Sequence, residues 1–64
     1  MLKIFTDGGS RGNPGPAASA FVVIRGGVEL FKDSKFLGDA TNNTAEYQAL
    51  LMAFEWLSAN MYIY

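Results

Sequence analysis

Apolar residues cluster in three short runs separated by glycine-rich segments. The first run, residues 2–7, is apolar on both faces and predicts a strand inside a sheet. The second, residues 19–25, is almost continuously apolar and also predicts a strand. The third, residues 28–37, carries several charges, as an edge strand does. The Gly26-Gly27 pair between the last two runs predicts a hairpin.

A longer segment, residues 43–59, is rich in Ala, Leu, Met and Glu and predicts a helix that Asn60 caps at its C-terminus. Residues 61–64 are again apolar and predict the start of a fourth strand. A right-handed crossover through the helix would place that strand parallel to the first. We therefore expect one mixed α/β domain over residues 1–64, with a three-stranded antiparallel meander, one helix and a short fourth strand.

Composition limits the chemistry that such a domain can perform. A chain of 64 residues buries only roughly 60% of its unfolded surface, so its core is small. There is no Cys or His, which excludes disulfides and the usual zinc sites. The formal net charge is −1 and the five basic residues are scattered, so charge alone argues against a nucleic-acid partner.

The sequence also bears on location. No segment approaches the ~20 apolar residues of a membrane span, and Met1 leads directly into a strand without a visible signal peptide. We therefore expect a cytoplasmic protein without a membrane partner.

Two carboxylates have both a structural and a functional interpretation. Asp7 ends the first strand before a glycine-rich loop, where Asp commonly forms a turn. Glu46 fits a capping box with Asn43 as the helix N-cap. In the functional interpretation the two side chains meet and hold a divalent cation, and oxygen-only ligands favour Mg²⁺ or Mn²⁺.

Helical periodicity gives Glu46 a predicted direction. At 100° per residue, Leu50, Ala53 and Leu57 project on the same side as Glu46. We therefore expect Glu46 to begin the stripe that the helix presents to the sheet.

Two segments resemble the signatures of a known enzyme family. Thr6-Asp7-Gly8-Gly9-Ser10, followed by Gly12-Asn13-Pro14-Gly15-Pro16, resembles the opening signature of type 1 ribonuclease H. Thr41-Asn42-Asn43-Thr44-Ala45-Glu46 resembles the second signature, which opens that family's first helix. Both occur in the family's order and are separated by a hairpin. The resemblance covers nearly the whole chain but only the N-terminal half of the family's domain.

The resemblance implies a ribonuclease H-like fold and an endonuclease that hydrolyses the RNA strand of RNA–DNA hybrids with two divalent metals. It implies catalytic roles for Asp7 and Glu46. Asp7 would bridge both metals, Glu46 would ligate one of them, and Gly8 would lie with them in the metal site.

The resemblance also implies a substrate surface. Ser10, Asn13 and Asn42 match positions that approach the hybrid in its minor groove, where Asn side chains engage 2′-hydroxyls. Asn43 fits better as the helix cap.

The resemblance leaves the catalytic set incomplete, because only two of the family's four carboxylates have a counterpart here. One hypothesis is an enzyme completed by self-association, as a homodimer, or by another chain through the Met61–Tyr64 edge. The alternatives are an inactive fragment, a non-catalytic RNA- or hybrid-binding module, and an interaction domain in which Asp7 is a turn residue and Glu46 a cap.

Overall fold

The computed structural model describes residues 1–60, which form three strands followed by one helix. The strands make one antiparallel sheet in the order β1-β2-β3, which confirms the predicted meander and helix. The predicted fourth strand, residues 61–64, lies outside the described residues. The elements are β1 (Leu2–Ser10), β2 (Gly15–Arg25), β3 (Val28–Ala40) and α1 (Asn42–Asn60).

The first two strands are longer than predicted and take up most of the expected glycine-rich loop. Pairing between β1 and β2 continues to Ser10 opposite Ala17. Beyond that pair, the Arg11 amide donates a 2.8 Å hydrogen bond to the Pro16 carbonyl. Strand pairing uses only backbone groups, which glycine supplies as well as any residue. The glycine-rich segment is therefore largely the end of a hairpin.

The structure confirms the predicted edge position of β3 but does not test the predicted interior position of β1. β3 lies at one edge of the sheet, as its charges indicated, and the predicted turn at Gly26-Gly27 has φ values of 56° and 79° that glycine adopts readily. Within residues 1–60, β1 pairs with β2 alone. The expected interior position of β1 depends on residues 61–64 and stays a prediction.

The helix packs through three alanines, of which only Ala53 belongs to the predicted stripe. Ala45, Ala49 and Ala53 are buried, whereas Glu46 and Leu50 are exposed. The buried face is therefore turned away from Glu46 and Leu50 and shares Ala53 with the predicted face. Alanine is small enough to let the helix backbone approach the sheet, so the larger side chains lie at the margins. Within residues 1–60 no helix has the length and apolar character of a membrane span.

An apolar cluster holds the C-terminal part of α1 to the sheet. Phe21, Val23 and Ala53 form its buried centre. An aromatic series continues it, because the Phe31 ring lies 5.7 Å from that of Phe21 and 6.0 Å from that of Trp56 between centroids. Ile4, Met52 and Trp56 pack around the buried centre.

The helix begins one residue earlier than predicted and has a different N-cap. The Thr41 hydroxyl oxygen accepts a 3.1 Å hydrogen bond from the Thr44 amide, and the Thr41 carbonyl accepts a 3.0 Å bond from the Ala45 amide. These are N-cap interactions, so the assignment of the cap to Asn43 is wrong. At the other end, the Asn60 side-chain amide donates to the Trp56 carbonyl at 2.8 Å, which confirms Asn60 as a C-terminal cap.

Candidate active site

The backbone of β1 and the first turn of α1 approach each other most closely at Gly8. A Cβ on Gly8 would overlap the Ala45 carbonyl and would lie 2.7 Å from the Glu46 amide nitrogen. No side chain fits in that space, so glycine is required by contact and not by an unusual φ. Gly8 follows Asp7 directly, and the close approach therefore brings the backbone of Glu46 beside the end of β1 that carries Asp7.

Ser19 holds the same junction from the second strand. It lies opposite Gly8 in the β1–β2 register, is 1% exposed and donates a 2.6 Å hydrogen bond from its hydroxyl to the Ala45 carbonyl. A buried hydroxyl needs such a partner to offset its lost hydration. The bond fastens the first turn of the helix to the sheet at the residue before Glu46.

Asp7 and Glu46 line one open cleft of about 290 Å³ between β1 and α1. Both residues are exposed. Residues from β2 and β3 are absent from its walls, so the cleft opens at the edge of β1 that lacks a strand neighbour within residues 1–60. The lining residues are Thr6, Asp7, Gly8, Glu46, Ala49 and Leu50.

The cleft is acidic and its two carboxylates are unpaired. No Lys or Arg is among the lining residues, and within residues 1–60 neither Asp7 nor Glu46 has a hydrogen-bond or ion-pair partner for its side chain. The predicted capping bond from Glu46 to the Asn43 amide is therefore absent from this part of the chain. Two carboxylates without a neighbouring cation repel each other, and a bound cation relieves that repulsion.

The carboxylate set is small. Residues 1–60 contain no group of three or more Asp, Glu, His or Cys side chains arranged to hold a metal ion. Asp7 and Glu46 therefore offer two carboxylate ligands at most, together with backbone oxygens and water.

The three predicted substrate-binding residues come together beside the hairpin. The Asn42 Oδ1 atom accepts hydrogen bonds from the Ser10 amide at 2.7 Å and from the Ser10 hydroxyl at 3.1 Å. The Asn13 Oδ1 atom accepts a 3.0 Å bond from the Asn42 amide. Because backbone N–H groups can only donate, these contacts fix which end of each side-chain amide points inward.

The outward ends of these amides are available to a ligand. Within residues 1–60 the Nδ2 groups of Asn13 and Asn42 make no hydrogen bond, and both residues are exposed. The network thus presents N–H donors on a surface that the hairpin and the helix N-terminus hold together.

Sequence reasoning did not identify Ser19 or Thr41. Thr is a preferred N-cap residue, but so is Asn, and two Asn residues follow Thr41 directly. The sequence therefore did not decide which residue is the cap. Ser19 had one usable signal, since it is a polar residue at the start of an apolar strand. Its partner is 26 residues away along the chain.

A sequence model of the RNase H family matches residues 1–64. The chain belongs to the RNase H family. The predicted family and fold class are thereby confirmed.

Known members of the RNase H family resemble this chain over much of its length. Ribonuclease HI of Halobacterium salinarum is 50% identical over 55 residues, which are 84% of this chain and 28% of that protein. A bifunctional protein of Mycobacterium tuberculosis is 44% identical over 56 residues, which are 84% of this chain and 15% of that protein.

A solved structure of a protein bound to an RNA/DNA hybrid shows the same fold. The LC11 RNase H1 bound to an RNA/DNA hybrid matches with a TM-score of 0.84 and 44% identity, over 97% of this chain and 44% of that one. The chain thus spans less than half the length of the RNase H proteins that it resembles here.

Proposed function

We propose that this chain supplies part of a metal-dependent ribonuclease H that hydrolyses the RNA strand of RNA–DNA hybrids. The observation that carries the proposal is the cleft that Asp7 and Glu46 both line, where neither has a cationic partner within residues 1–60. A surface of amide donors lies beside this cleft. A member of the same family binds an RNA/DNA hybrid.

The residues of the cleft fit a hard divalent cation. Mg²⁺ keeps several of its waters and is commonly bound by one or two carboxylates together with substrate phosphates. Asp7 and Glu46 would hold it, and Gly8 lines the same cleft. When bound, the cation would supply Lewis-acid stabilisation of charge that develops on the phosphate.

The protein's own part is to hold two acidic side chains at one place. Gly8 allows the close approach of α1, and Ser19 fastens it, so that Glu46 and Asp7 share the cleft. Holding the ligands in position before binding lowers the cost of assembling the site.

The neighbouring network would recognise the hybrid. The outward Nδ2 groups of Asn13 and Asn42 would donate to 2′-hydroxyls or sugar oxygens, which distinguish RNA from DNA. Ser10 would act mainly by holding Asn42, because its amide donates to the Asn42 oxygen. The single proton of its hydroxyl is shared between the Gly12 carbonyl and that oxygen. Such uncharged contacts suit a chain whose net charge is only −1.

Activity would need a completed site. Two carboxylates are fewer than the family's set, and we propose that the others come through self-association or from a completing segment. We expect it to join along the edge predicted for residues 61–64, because an exposed strand edge offers backbone groups to another strand.

A cleavage assay tests the proposal. The chain is incubated with an RNA–DNA hybrid and Mg²⁺ over a range of protein concentrations, while light scattering reports its mass. We expect cleavage that requires Mg²⁺, that rises with the assembled fraction and that Asp7→Asn abolishes. Asp33→Asn is the matched control, because it neutralises an exposed carboxylate of β3 outside the cleft.

Two results would contradict the proposal. Equal cleavage by wild type and Asp7→Asn would show that the assignment of Asp7 to the catalytic site is wrong. Hybrid binding without cleavage at any concentration would favour a second candidate, a non-catalytic hybrid-binding module. That candidate is supported by the Ser10–Asn13–Asn42 network, which is complete within the described residues although the carboxylate set is small.

A further inference from the structure

We infer that Ser19 is a positioning residue for the Asp7–Glu46 pair, a role that rests on the proposed metal site. Its hydroxyl donates a 2.6 Å hydrogen bond to the Ala45 carbonyl, across the interface between β2 and α1. Ala45 precedes Glu46, so the bond acts on the helical turn that carries the ligand.

The geometry links Ser19 to both carboxylates through short backbone paths. Ser19 lies opposite Gly8, whose neighbour is Asp7. The Ala45 carbonyl that Ser19 holds is also the atom that a Cβ on Gly8 would strike. The Ser19 bond therefore acts on the spacing between the strand of Asp7 and the helix of Glu46 at the residue beside Glu46, whereas the Ser10 bonds act at Asn42.

Other contacts of the helix act at different places. The Ser10 and Asn13 hydrogen bonds hold Asn42, at the very start of α1. The alanines that face the sheet provide no directional interaction, and the aromatic packing of Trp56 lies further along α1. Without the Ser19 hydroxyl, the Ala45 carbonyl loses a buried donor, and the first turn is held to the sheet only through Asn42 and by packing. Small displacements of a metal ligand are known to lower metal affinity even when the ligand itself is unchanged.

The test compares Ser19→Ala with Val23→Ala in the full chain by NMR. Two quantities are measured: the nuclear Overhauser effect between the Gly8 α-protons and the Glu46 amide, and the Mg²⁺ dissociation constant from the Asp7 and Glu46 carboxyl signals. Val23 is 0% exposed and on the same face of β2, but it belongs to the apolar cluster away from the cleft. It therefore controls for a general loss of stability.

We expect Ser19→Ala to weaken the Gly8–Glu46 Overhauser effect and to weaken Mg²⁺ binding about three- to tenfold, at unchanged helix content by circular dichroism. Val23→Ala should leave both quantities within a factor of two while lowering the melting temperature. If Ser19→Ala leaves the Overhauser effect unchanged, or if Val23→Ala alters it equally, Ser19 has no positioning role.

The proposed function can fail separately. If the wild-type carboxyl signals do not respond to Mg²⁺, the metal site is wrong. A weakened Overhauser effect in Ser19→Ala would still show that Ser19 positions Glu46 relative to β1.

Discussion

The helix meets the sheet in two different ways along its length. At its N-terminal end, contacts run through backbone atoms and hydrogen bonds at Gly8, Ser19 and Ala45. Toward its C-terminal end, contacts run through apolar and aromatic side chains around Val23 and Trp56. Asp7 and Glu46 lie at the first end.

The difference separates positioning from stability. Apolar packing contributes free energy in proportion to buried area but tolerates small shifts, whereas a hydrogen bond and a backbone contact specify a distance. Changes at the N-terminal end should therefore alter the site, and changes at the C-terminal end should alter stability while the site persists.

The largest effect is expected from Gly8→Ala. The added Cβ has to displace the Ala45 backbone, which should lower the free energy of unfolding by about 3 kcal/mol. It should also remove Mg²⁺ binding, because Glu46 moves with the helix. Urea denaturation and a Mg²⁺ titration measure the two effects.

Gly9→Ala is the control for this change. The nearest atom to a Cβ there is the Asn42 Oδ1 at 3.7 Å, an ordinary contact. Stability should change by less than ~0.5 kcal/mol. Equal losses at both glycines would show that the close approach at Gly8 does not govern the site.

Val23→Ala should have the next largest effect on stability. Removing two buried methyl groups should cost about 2 kcal/mol, measured by urea denaturation, and should leave Mg²⁺ affinity unchanged. Val28→Ala, at a position 62% exposed, should cost less than ~0.5 kcal/mol. A loss of Mg²⁺ affinity in Val23→Ala would show that the apolar packing toward the C-terminal end of the helix also controls the site.

Thr41→Ala should have the smallest of the three effects. Loss of the N-cap should cost about 1 kcal/mol, whereas Asn43→Ala, at an exposed helical position, should cost less than that. Thermal unfolding by circular dichroism compares them. A larger loss in Asn43→Ala would restore Asn43 as the cap.

How much of the molecule could be predicted from sequence depends on whether a feature arises from local residues or from distant contacts. The meander, the helix and the Gly26-Gly27 turn follow from local patterns of apolar residues and glycine, and these were confirmed. Asp7 and Glu46, together with Ser10, Asn13 and Asn42, were identified by resemblance to family signatures. In the structure Asp7 and Glu46 line one cleft, and the other three residues form one hydrogen-bond network. The chemical roles of all five residues stay predictions.

The missed features depend on contacts distant in sequence. The predicted helix face included Ala53 but placed Glu46 and Leu50 toward the sheet in the positions that Ala45 and Ala49 occupy. Periodicity alone does not show that the close approach of the backbones at Gly8 requires small residues there. Ser19 could not be identified from its neighbours, because its partner is in α1.

Binding of Mn²⁺ followed by NMR tests the central claim most directly, since this paramagnetic ion broadens signals from nuclei close to it. If Asp7 and Glu46 hold a divalent cation, substoichiometric Mn²⁺ should first remove the amide signals of residues 6–8 and 45–50, and Asp7→Asn should prevent that loss. Signals around Glu29 and Asp33, which are carboxylates of β3 outside the cleft, should persist. Equal broadening at Glu29 and Asp33, or none at Asp7, would contradict the claim.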